Sequence, residues 1–200
     1  MTYSNFVYLL LFKFENLLWL YSQILSLKSK KMKTVLMIVA NNGFQDHEFS
    51  ATYESLQEAN AQITIVAGRK GQCVWVFGQK IEAAYELSEV KWDKFEMVIY
   101  IWWWGCLTQY LHNSDYLRIA QEAKKLWAIC IAPMVVSESW VFNWKIVTSR
   151  DDEWLQQNFI QNYGGVRKDE TVIRYGNIVT ANGPESAEMF GKECVKLLEE

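Results

Sequence analysis

An α/β domain with a mostly parallel central sheet is the fold the sequence predicts, and three observations predict it. From Met32 onward, short β-rich apolar runs alternate with stretches of helical periodicity. Half of the 200 residues are hydrophobic, enough to bury a sizeable core. No internal repeat or low-complexity linker interrupts the alternation, so residues 32–200 read as one domain.

The elements follow in order. TVLMIVA (34–40), AQITIVA (61–67), FEMVIYI (95–101), LWAICIA (126–132) and KIVTS (145–149) read as strands. EFSATYESLQEAN (48–60), SDYLRIAQEAKK (114–125), DEWLQQNFIQNY (152–163) and ESAEMFGKECVKLLEE (185–200) carry the spacing of helices. TVIRYGNIVTA (171–181) has a Gly-Asn turn between two β runs and reads as a late hairpin or a bulged loop.

Residues 1–31 differ from the rest. FVYLLLFKFENLLWLYSQILSL is strongly apolar, but Lys13, Glu15 and Asn16 interrupt it, whereas a spanning helix wants about 20 predominantly apolar residues. The stretch lacks the basic start and small-residue cleavage site of a secretory signal. It reads either as an over-long translation ahead of a true start at Met32 or as an amphipathic, membrane-proximal segment held by the basic KSKKMK.

Charge and cysteine content exclude several classes. A formal net charge of -3 with mixed signs leaves no basic footprint for nucleic acid. Cys73, Cys106, Cys130 and Cys194 lie far apart, with no CxxC pair and no histidine at ligand spacing, which argues against a metal site or a disulfide scaffold. Reduced thiols in the cytoplasm are the simpler reading.

In open α/β sheets, sites form at the carboxyl ends of strands. Cys130 stands at such an end, where an apolar strand stops and a helix opens with Pro133 in its first turn. The helix dipole and free amides there favour thiolate, as in a nucleophile elbow; a small buried core cysteine fits the same spacing. In NNGFQDHE, Glu48 stands at a helix start, where its carboxylate suits the dipole or serves as acid and base to the thiol. His47 and Cys106 are auxiliary candidates, the latter as a partner that would resolve an oxidised Cys130 as a disulfide. His112 reads as a solvated residue near a helix start.

These stretches, taken together, resemble the ThiJ/PfpI family, the group that includes intracellular protease I and the Parkinson-associated deglycase. KTVLMIVANNGFQDHEF matches its opening strand and acidic turn, FEMVIYI the strand before its oxyanion loop, AICIAP its nucleophile elbow, and GNIVTANGPESAEMFGKECVKLL its closing hairpin and helix. The resemblance covers nearly all of residues 33–199. It implies a flavodoxin-like three-layer sandwich of the class I glutamine amidotransferase type, a reactive Cys130, a partner carboxyl at Glu48 and a homodimer or higher homo-oligomer. It further implies action on small reactive carbonyls such as methylglyoxal, as a glyoxalase, deglycase or hydrolase, without a cofactor. A stress protein that senses oxidation or acts as a chaperone is the alternative. An intracellular peptidase is disfavoured because relatives of that kind place histidine directly after the nucleophile, where this chain has Ile131. A glutamine amidotransferase needs a Cys-His-Glu set that the sequence does not supply.

One stretch departs from the family pattern. WWWG (102–105) occupies the place of a glycine-rich loop whose amides approach the substrate, and three indoles cannot replace it. Ten residues are Trp and ten are Gly, the latter below the usual share of about 7%. Trp75, Trp127, Trp140 and Trp144 also stand where the family tends to have small residues, and Trp92 and Trp154 are further candidates. A UGA codon, which different genetic codes read differently, would explain the pattern if the source organism decodes it as glycine; a literal chain would instead be a degenerate relative with a blocked site. With glycine in the loop, the backbone at position 103 (Trp103 as written) and the amides of Cys130 and Ile131 are candidates for an oxyanion hole.

Overall fold

The structure is a computed structural model that describes residues 32–101, 105–152 and 154–200. Lys33–Glu200 form one compact unit. The extension 1–31, the Trp102–Trp104 run with its proposed oxyanion position Trp103, and the side chain of Cys106 lie outside the described part.

Seven strands form the central sheet. β1 (Thr34–Ile38), β3 (Gln62–Ala67), β6 (Tyr85–Glu86), β7 (Met97–Tyr100), β8 (Leu126–Ile129), β11 (Val172–Tyr175) and β12 (Ile178–Ala181) lie in the order β11-β12-β8-β7-β1-β3-β6. Every pairing is parallel except β11 with β12, the hairpin, whose turn places Gly176 at φ 58°. β7, β8 and β12 are buried along their whole length, as strands covered on both faces must be.

The helices are α1 (Asp46–Glu58), α2 (Gly105–Tyr110), α3 (Ser114–Glu122), α4 (Ala132–Ser137), α5 (Leu155–Asn162) and α6 (Ala187–Glu199). α1 packs against α6, while α4 packs against both α3 and α5. Right-handed crossovers put these two groups on opposite faces of the sheet, giving three layers. No helix among the described residues is long and apolar enough to cross a membrane.

Two smaller sheets complete the domain. KIVTS supplies β9 (Ile146–Val147), which pairs in parallel with β10 (Val166–Arg167) and does not join the central sheet. β2 (Asn42–Phe44), β4 (Gly71–Trp75) and β5 (Lys80–Ala83) form the other.

Strand order reverses between β1 and β7, the switch point at which open α/β sheets leave a crevice. The segments after β1, β7 and β8 all leave the sheet at that end.

Candidate functional site

Cys130 is the first residue beyond β8, and its backbone is left-handed, with φ 65°. A residue other than glycine holds that conformation at a cost, so the surroundings must impose it. They do so from both sides. The Cys130 N–H donates to the carbonyl of Ala181 at the end of β12 (2.9 Å), and its own carbonyl accepts from Arg150 N–H (2.9 Å). The chain then enters α4, a six-residue helix buried throughout, with Pro133 in its first turn.

Glu48 comes to this sulfur from the other helical layer. It is the third residue of α1, and the first turn is capped by Gln45, whose side-chain oxygen accepts from Glu48 N–H (2.7 Å). The capping duty therefore falls to Gln45, and the Glu48 carboxyl is carried inward, to 0% exposure, where its charge acts on the Cys130 thiol.

The electrostatics run opposite to the expectation of a low-pKa thiolate. Burial and then the neighbouring Glu48 carboxylate push the Cys130 thiol well above the ordinary range, against the opposing pull of the Ile131 N–H and the Arg150 guanidinium. Desolvation of a fully buried sulfur outweighs the few amides at the start of a short helix. The resting sulfur therefore keeps its proton and must lose it to a neighbouring base before it can act as a thiolate.

The oxyanion candidates separate. The Ile131 N–H acts on the sulfur, pulling its pKa down. The Cys130 N–H is consumed by Ala181 and is not available to a substrate. Neither histidine joins the site. His47 is exposed and lines a groove between α1 and α6 with Glu188 and Lys192, because a residue adjacent to Glu48 on a helix faces away from it. His112 Nδ1 pairs with Glu138 on the far side of α4, at 2.5 Å.

Sequence reasoning did not single out Arg150. It follows β9, ties its backbone to Cys130, and places its Nε 2.9 and 3.0 Å from the two Asp152 carboxylate oxygens. A polar cavity of about 590 Å³ opens beside it at the ends of β9, β10 and β12, lined among others by Ser149, Asp151, Arg167 and Asn182. A charged residue directly after a strand end, in KIVTSR, was the available signal.

Among similar proteins, dj-1beta of Drosophila melanogaster is 30% identical over 173 residues, spanning 84% of this chain and 89% of the relative. An uncharacterized protein of Methanocaldococcus jannaschii is 26% identical over 179 residues, 86% of each chain. Among solved structures, a ThiJ/PfpI domain protein from Brachyspira murdochii superimposes with a TM-score of 0.78 at 22% identity, covering 84% of this chain and 98% of the other. Drosophila DJ-1beta gives 0.74 at 24% identity, covering 84% and 90%. The architecture is thus the flavodoxin-like α/β fold of these neighbours. Residues 33–197 match the model of the DJ-1/PfpI family, and this chain belongs to that family.

Proposed function

We propose that the protein is a cysteine-dependent enzyme acting on small reactive carbonyl compounds, with Cys130 as nucleophile and Glu48 as its acid and base. One observation carries the reading: a buried sulfur on a left-handed strand-to-helix turn, set beside the buried carboxyl of Glu48.

The chemistry follows from that pair. As sulfur bonds to the aldehyde carbon of a dicarbonyl such as methylglyoxal, the thiol proton passes to Glu48 and from there to the former carbonyl oxygen, giving a thiohemiacetal. Glu48 then removes the proton on that carbon and returns it to the neighbouring one, while the hydroxyl proton moves to the neighbouring oxygen, which leaves a thioester. Water cleaves the thioester to a hydroxy acid and restores the thiol. The sequence is an internal isomerisation followed by hydrolysis and needs no redox partner.

A peptidase would need an imidazole at the nucleophile, and His47 and His112 both lie elsewhere. A peroxide sensor would need a thiolate at rest, which burial and the charge of Glu48 oppose, whereas carbonyl addition needs the sulfur ionised only as Glu48 takes its proton.

The test is turnover of methylglyoxal by the wild type and by Cys130→Ser. Activity in the wild type that vanishes in the variant is the expected result. No turnover, together with selective peroxide oxidation of Cys130, would replace this reading with the sensor.

A further inference from the structure

Among the described residues, six other than glycine hold a left-handed backbone: Asn60, His112, Cys130, Trp140, Trp144 and Trp154. Asparagine and histidine are enriched in that region, and Cys130 is clamped into it by its neighbours. The remaining three are tryptophan, at φ 61°, 59° and 67°. A bulky side chain in that conformation is an outlier, and three of one type need a common cause.

Each position lies where the backbone calls for glycine. Trp140 closes the turn that ends α4, its N–H donating to Ser137 C=O (2.8 Å), and a left-handed residue after a helix is most often glycine. Trp144 is the third residue of a turn closed by Lys145 N–H to Phe142 C=O (2.8 Å); positive φ at that place is the mark of a glycine-requiring type II turn. Trp154 precedes α5 in left-handed geometry, without a side-chain cap. The indoles are 54%, 83% and 64% exposed, so burial does not repay the strain.

Other tryptophans divide in the same way. Trp75 and Trp127 bury indole N–H groups that find no acceptor. Trp92 is the contrast. Its Nε1 donates to Glu122 Oε2 (3.0 Å), the Arg118 guanidinium lies 4.3 Å from the ring centroid, and its backbone is ordinary.

We infer that the protein as its cell makes it carries glycine at 140, 144 and 154, and through the same codon at 75, 102–104 and 127, while Trp92 is a true tryptophan. A UGA codon decoded as glycine is the single cause that covers all of them. The inference stands apart from the carbonyl chemistry, because loss of activity in Cys130→Ser leaves it untouched.

Two measurements test it. The coding DNA should show UGA at 140, 144 and 154 and UGG at 92, with peptide masses from the source cells showing glycine; UGG at the first three overturns the inference. Independently, the chain carrying Trp140→Gly, Trp144→Gly and Trp154→Gly should melt at a higher temperature than the chain as written, and Trp92→Gly at a lower one. An equal or lower melting temperature for the triple variant overturns the backbone argument on which the inference rests.

Discussion

Cys130 and Trp144 share a left-handed backbone, φ 65° and 59°, and differ in what surrounds the side chain. At Cys130, hydrogen bonds to two neighbouring segments fix the main chain, and the sulfur is enclosed with Glu48 and the Ile131 amide. At Trp144 the main chain is also fixed, its N–H donating to Gly164 C=O (2.9 Å), but the indole is 83% exposed. Strain persists where the structure over-determines it. In one place the side chain is the reason for the strained turn; in the other the turn would serve as well without it.

Glu48→Gln offers the largest effect by which to break this contrast. If the carboxyl moves the protons of Cys130, turnover of the dicarbonyl should fall by about 100-fold or more. Because the charge of Glu48 is one cause of the raised thiol, the variant thiol should ionise at lower pH, read from its thiolate absorbance. A rate close to wild type would reduce Glu48 to a packing residue.

Alkali gives the next effect. Burial raises both Cys130 and Cys194 well above 9.0, so the folded chain holds these protons more tightly than the unfolded one. Their contribution to stability is complete below pH 9.0 and is lost as pH climbs toward the folded values. Above pH 9.0, stability should fall as pH rises, and Cys130→Ser should make that fall shallower. Denaturant midpoints across that window check it; a flat profile contradicts the buried thiols.

The smallest effect sharpens the other side. Trp144→Gly and Trp144→Ala both remove the exposed indole, yet only glycine relaxes the left-handed turn. Glycine should be the more stable by about 1 kcal/mol. Equal stabilities would assign the cost to the indole and not to the backbone.

The central strands were legible because parallel strands buried on both faces print as continuous apolar runs. KIVTS was legible as a strand but not in its partnership, since two residues of pairing leave no mark on composition. β4 and β5 were missed because Gly78 and the charged Lys80 and Glu82 break the alternation of a short, half-exposed hairpin. In the site, the strand-end cysteine was visible from its own neighbours. Its meeting with Glu48 was one of two readings of a helix-start carboxylate until the family resemblance implied it, because it depends on two helical layers converging at one end of the sheet. The direction of the thiol shift was misjudged, since a helix start is local and readable whereas desolvation is a property of the finished core.

α1, the helix that carries Glu48, is backed by α6, and the two approach closely: a Cβ added at Gly191 would come within 2.6 Å of Ser55 Oγ and 3.1 Å of Ala51 O. The first helix of the described domain is thus braced by the last. During translation, the carboxyl emerges well before the helix that backs it, and contacts so distant along the chain are slow to form. A nascent chain halted before α6 would hold Glu48 on a helix without its backing.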